Sequence, residues 1–96
     1  MPGLRVHRDH TLGLEPARDI ARRWMDDGRD RFKLRCECEP GAEADTIRFQ
    51  GPGVSGTLRV AGDAFDLEAK LGFLLGPFSR RIEQEIASQL DSLLGP

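Results

Sequence analysis

Residues 32–71 read FKLRCECEPGAEADTIRFQGPGVSGTLRVAGDAFDLEAKL, and their period of two decides the fold. Phe32, Leu34, Cys36 and Cys38 alternate with Lys33, Arg35, Glu37 and Glu39. Pro40-Gly41 opens a turn that runs to about Asp45, after which Ile47 and Phe49 alternate with Thr46, Arg48 and Gln50. Gly51-Pro52-Gly53 makes a second turn, and Val54, Gly56, Leu58 and Val60 then alternate with Ser55, Thr57 and Arg59. Ala61-Gly62-Asp63 makes a third, followed by Phe65, Leu67, Ala69 and Leu71 against Asp66, Glu68 and Lys70. Successive side chains of a strand point to opposite faces, and short Gly- and Pro-containing connections favour hairpins. The stretch therefore predicts a four-strand antiparallel meander with one buried face and one wet face.

Upstream, Leu4 and Val6 alternate with Arg5, His7 and Asp9, a further short strand. Pro16 suits a first helical position, with the acidic Glu15 before it. Ala17, Ile20, Ala21, Trp24 and Gly28 follow at helical spacing among charged neighbours, an amphipathic helix of about four turns. Downstream, Pro77 is a plausible second helix start, Ile82, Ile86, Leu90 and Leu93 form one stripe, and Gly95-Pro96 reads as a stop. The order is β-α-β-β-β-β-α. A sheet with one apolar face and two helices with one stripe each are satisfied by packing both helices on that face. The expectation is an α+β two-layer sandwich, one domain over residues 1–96, similar in order to a shortened helix-grip fold. Its expected core holds Val6, Ile20, Trp24, Leu34, Cys36, Phe49, Leu58, Leu67, Ile82, Ile86 and Leu90. The short N-terminal strand or the last hairpin strand is expected to be a free edge, and the oligomeric state is left open.

Composition excludes several classes. The 96 residues carry 14 Lys and Arg against 16 Asp and Glu, a net charge of −2, which argues against nucleic acid as the main partner. No apolar run reaches the ~18–20 residues of a membrane span, and no signal-peptide core opens the chain. Two cysteines cannot build a disulfide framework. These features predict a soluble, cytoplasmic domain.

The familiar catalytic patterns are missing. Cys36 and Cys38 fall on the core face of one strand, so they read as two small, reduced hydrophobes rather than a redox or metal pair. If Val6 faces inward, His7 faces out, and the two histidines cannot converge with the cysteines on a tetrahedral metal. His10, at a strand end, reads as a turn-bonding residue. His7-Arg8-Asp9 matches a kinase triplet without the glycine-rich loop that would give it meaning. Gly51-Pro52-Gly53 is too short for a phosphate loop, and Ser55, Thr57 and Ser79 have no evident base. Asp26-Asp27 and Glu37/Glu39 read as solvated carboxylates. No catalytic residue, metal ligand or cofactor is assigned, and the chain is expected not to be an enzyme.

One segment resists this bland reading. Leu71 to Phe78 reads LGFLLGPF, with Arg80 and Arg81 directly after it. A strand end and a helix start cannot easily bury three Leu and two Phe, and Leu74 breaks the parity that Leu71 and Phe73 keep. Cations in a first helical turn oppose the helix dipole. An apolar loop flanked by arginines suits the boundary between water and an amphiphile layer. Phe73, Leu74, Leu75, Phe78, Arg80 and Arg81 are the candidate interaction surface. The competing reading has Phe73, Leu75 and Phe78 capping one end of the core and Arg81 pairing with Glu85.

Two strings resemble a known family. His7-Arg8-Asp9-His10, Leu12-Gly13-Leu14, Ala17-Arg18 and Trp24 are similar to its opening. Gly56-Thr57-Leu58-Arg59-Val60, then Phe65, Leu67, Ala69-Lys70-Leu71-Gly72-Phe73-Leu74-Leu75-Gly76, Phe78 and Arg81-Ile82-Glu83, are similar to its more specific second half. The chain resembles the polyhydroxyalkanoic acid system family, also called granule-region proteins. That resemblance implies a bacterial protein encoded among genes for polyhydroxyalkanoate storage, and it brings no catalytic residues. The expected function is that of a non-enzymatic accessory protein touching the storage granule or its coat proteins. The alternative is a small-molecule module that binds an acyl or hydroxyacyl chain in a helix-grip-like cavity.

Overall fold

A computed structural model describes residues 3–94. Its strands are β1 (Gly3–Asp9), β2 (Arg35–Glu39), β3 (Ala44–Gly51), β4 (Val54–Ala61) and β5 (Ala64–Leu71). Its helices are α1 (Leu14–Phe32) and α2 (Ser79–Leu94), the latter preceded by a 3-10 turn over Gly76–Phe78. The strands form one antiparallel sheet in the order β1-β5-β4-β3-β2. The meander runs outward from β5 to β2, and β1 closes the other side by pairing Leu4 with Ala69 and Val6 with Leu67. The free edges are therefore β1 and β2. The expectation that the last hairpin strand could be an edge is corrected, because β5 lies between β1 and β4.

The alternation predicted from the sequence sets the two faces. Phe65, Leu67, Ala69 and Leu71 point inward with Leu58, Val60, Ile47, Phe49, Leu4 and Val6. Both helices cover that face, α1 with Ala17, Ile20, Ala21 and Trp24, and α2 with Leu90. Trp24 meets Phe49 edge-on with ring centroids 5.3 Å apart, an arrangement aromatic pairs favour. Gly56 sits opposite both Phe49 and Ala69, and a Cβ there would strike the Glu68 carbonyl and the Phe49 ring. The outer face carries rows of charges and hydroxyls, including the Arg5–Glu68 pair and the Arg48–Glu39 pair.

Helix α1 starts two residues before Pro16, on Gly13, whose φ of 87° turns the chain out of β1. It ends later than the periodicity suggests. Phe32 belongs to α1, not to β2, and Lys33 stops the helix in the left-handed conformation at φ 55°. The Leu34 N–H then donates to the Gly28 carbonyl, and the Leu34 side chain lies against Gly28 and Gly51. Strand β2 is correspondingly short.

Three members of the expected core are corrected. Cys36 is half-buried because β2 is an edge strand. Ile82 and Ile86 are also half-buried, because α2 packs on β1 and touches the middle of the sheet little. Of the α2 stripe only Leu90 is fully enclosed. The expected stop at Gly95-Pro96 lies outside the described residues.

Candidate functional site

Strand β5 ends at the buried Leu71, and the Gly72 N–H donates to the Gly53 carbonyl at 2.8 Å, tying the segment to the β3–β4 turn. The chain then folds tightly. The N–H groups of Leu75 and Gly76 both donate to the Gly72 carbonyl at 3.1 Å, and the Phe78 N–H donates to Leu75 at 2.9 Å. Pro77 fits the first turn of the 3-10 segment, where no N–H is needed. With the backbone bonded to itself, strand parity no longer governs the side chains. Leu75 turns inward over Gly53, where φ of 77° and the nearness of Leu75 leave no room for a Cβ. Phe73 and Leu74 turn outward and are 90% and 82% exposed, and Phe78 is 52% exposed.

Leu75 alone of the candidate residues caps the core. Phe73 and Phe78 do not, although the competing reading placed them there. Arg80 and Arg81 are exposed in the first turn of α2, and neither forms an ion pair among the described residues. The Arg81–Glu85 pair weighed from spacing is therefore not formed. Periodicity missed Phe32, which it placed inside a strand. In the structure Phe32 is 48% exposed at the C-terminal end of α1, beside Gly51 and so beside the same turn. Its signal was available only as an end to the helix, and a lysine at the left-handed position hides that end.

Between α1, α2 and the sheet, next to this tip, lies an apolar cleft of about 210 Å3. Trp24, Leu34, Phe49, Val54, Ile82 and Ile86 line it, with Glu85 and Gln89 at its rim. It exists because the N-terminal half of α2 stands off the sheet.

The other candidates are dispersed. The reading of Cys36 and Cys38 as a buried pair is corrected, since Cys36 is half-buried and Cys38 exposed. Burial pushes the Cys36 thiol up, with Arg29 opposing. Partial burial and the Asp45 charge push Cys38 up too. His7 lies on the outer face, its Nδ1 on Asp66 and its Nε2 2.7 Å from Asp9, and these carboxylates raise its pKa. His10 accepts the Leu12 N–H at its Nδ1, as a turn-bonding residue would. Its ring lies 4.8 Å from that of Phe65, and its Nε2 is buried without a partner. Among the described residues no three His, Cys, Asp or Glu side chains converge to hold a metal ion. No described helix is long and apolar enough to cross a membrane.

Compared with known proteins, residues 4–94 match the family model described as "Putative polyhydroxyalkanoic acid system protein". No curated protein and no solved structure matches the chain.

Proposed function

The chain belongs to the polyhydroxyalkanoic acid system family, and from that membership and the exposed tip we propose a non-enzymatic accessory role in bacterial polyhydroxyalkanoate storage. The protein is cytoplasmic and docks on the granule surface or on granule coat proteins through Phe73, Leu74 and Phe78, with Arg80 and Arg81 beside them. One observation carries this reading. Two adjacent large apolar side chains are 90% and 82% exposed on a backbone-bonded turn that has no folding need to present them. Exposed apolar side chains grouped at one place mark interaction sites more often than scattered ones do. Burying Leu74 alone in an apolar phase gains ~1.5–3 kcal/mol.

The alternative, an acyl-binding module, is favoured by the cleft under α2. Its lining is apolar, and Gln89 and Glu85 offer polar groups at the rim. Its volume of about 210 Å3 falls short of the ~300–1,000 Å3 usual for ligand pockets. The surface role is therefore preferred. A fluorescent fusion expressed in cells with and without polyester granules tests it. The fusion should mark granules where they exist and spread evenly where they do not. Even spreading in both would refute the docking role.

A further inference from the structure

Six of the 14 Lys and Arg residues form ion pairs: Arg5, Arg8, Arg18, Arg22, Arg29 and Arg48. The remaining eight have no carboxylate partner among the described residues, and they are not spread evenly. Arg23 and Arg59 lie elsewhere. Arg31, Lys33, Arg35, Lys70, Arg80 and Arg81 all sit at the end of the molecule that carries the apolar tip. The topology fixes this placement. Lys70 is opposite Ser55, Ser55 opposite Gln50, and Gln50 opposite Arg35, one row across the sheet at the level of the Gly51–Gly53 turn. Arg31 and Lys33 close α1 beside that row, and Arg80 and Arg81 open α2. The acids within one helical turn or one same-face strand step of these cations are Asp27, Asp30, Glu37, Glu68, Glu83 and Glu85, and none of them forms an ion pair with the six. At the opposite end Asp9, Glu43 and Asp63 are exposed. A chain of net charge −2 thus keeps six of its eight unpaired cations at one end.

Resting on the docking role just proposed for the tip, we infer that its partner is an anionic phospholipid surface, into which Phe32, Phe73, Leu74 and Phe78 insert while the six unpaired cations engage headgroup phosphates. Two features favour lipid over a protein groove. Phe73 and Leu74 protrude rather than line a hollow, and the cations at their end come from four separate elements, α1, β2, β5 and α2. A protein partner would have to match those cations group by group to avoid burying unpaired charge. A lipid surface matches it without shape complementarity, since headgroups rearrange around long cationic side chains. Guanidinium groups also bind phosphate oxygens in pairs, and four of the six cations are guanidinium. The cations that compact folding would otherwise pair are left free where an anionic film would neutralise them.

Flotation with vesicles tests the inference, using phosphatidylcholine alone and phosphatidylcholine in equal parts with phosphatidylglycerol. The protein should float with the mixed vesicles at low salt, detach as salt rises, and float poorly with phosphatidylcholine alone. Leu74→Asp should weaken the mixed-vesicle binding by about tenfold or more. Lys33→Glu with Lys70→Glu, both outside the Leu71–Arg81 segment, should weaken it in a salt-sensitive way while leaving the melting temperature near that of the parent chain. Equal flotation with both vesicle types, or no effect of the double lysine variant, overturns the anionic assignment. Failure to bind any vesicle while the fusion still marks granules also overturns it, assigns the tip to a coat protein, and leaves the docking role intact. Vesicle binding without granule marking does the reverse.

Discussion

Asp45 is the one charged side chain fully buried among the described residues, and it is held by designated partners. Arg18 reaches it with Nε at 2.9 Å and Nη2 at 3.1 Å, and the Gly41 N–H donates to it at 3.2 Å. Arg18 also donates to the Gly41 carbonyl, so one pair fastens the β2–β3 turn to α1. The Arg18 hydrogen bonds hold the Asp45 pKa below the ordinary value. A depressed folded-state pKa contributes stability above the unfolded pKa of about 3.9, and that contribution is lost as pH falls through the lower folded value. Asp45→Asn should therefore lower the melting temperature at neutral pH and flatten its fall below about pH 4. An unchanged acid limb would show that the pair contributes nothing. His7 works in the opposite sense. Its raised pKa contributes stability below about pH 6.5 that fades as pH rises through the folded value, and His7→Gln should remove that fading. The cysteines are also distinguishable. Cys38 should react with a thiol reagent in the native protein, increasingly fast toward alkaline pH, and Cys36 should lag until denaturant is added. Two thiols equally slow in the native state would contradict the exposed position of Cys38.

At the scale of elements, what sequence could and could not disclose has a physical cause. The four strands of the meander were legible because one face of each is buried and the other wet. Gly13, Gly53 and the turn at Gly62-Asp63 then punctuate the chain where the backbone must reverse. The end of α1 was not legible, because Phe32, Leu34, Cys36 and Cys38 continue a perfect alternation across a helix stop that uses lysine instead of glycine. The exposure of Cys38 was not legible either. Alternation names a face, but only the strand order shows that β2 is an edge beyond the reach of the helices. Within the tip, the outward Leu74 was readable from parity. The outward Phe73 was not, since the strand stops at Leu71 and the turn bonds to itself. The helix α2 stripe looked uniform, yet its residues are unequal. Leu90→Ala should cost about 2–5 kcal/mol. Ile82→Ala at the cleft should cost about 1–2 kcal/mol. Trp24→Ala, which empties the junction of α1 with Phe49, should cost about 3–5 kcal/mol. Chemical denaturation of the three variants checks the order, and equal losses at Leu90 and Ile82 would mean that α2 lies flat on the sheet.

For the whole molecule, stability and docking are assigned to different places. The core runs through Leu58, Phe65, Leu67 and Leu90, all fully enclosed, and the tip contributes only Leu75 to it. Phe32, Phe73, Leu74 and Phe78, four of the five exposed large apolar side chains among the described residues, gather at one end with six of the eight unpaired cations. A domain so divided should lose its partner without losing its fold. Granule localisation of a Leu74→Asp fusion, measured beside the melting temperature of the same variant, tests this most directly. The account predicts a melting temperature near that of the parent chain, with granule occupancy reduced by about tenfold to a hundredfold. An unfolded Leu74→Asp variant, or a folded one that still coats granules as the parent does, would contradict it.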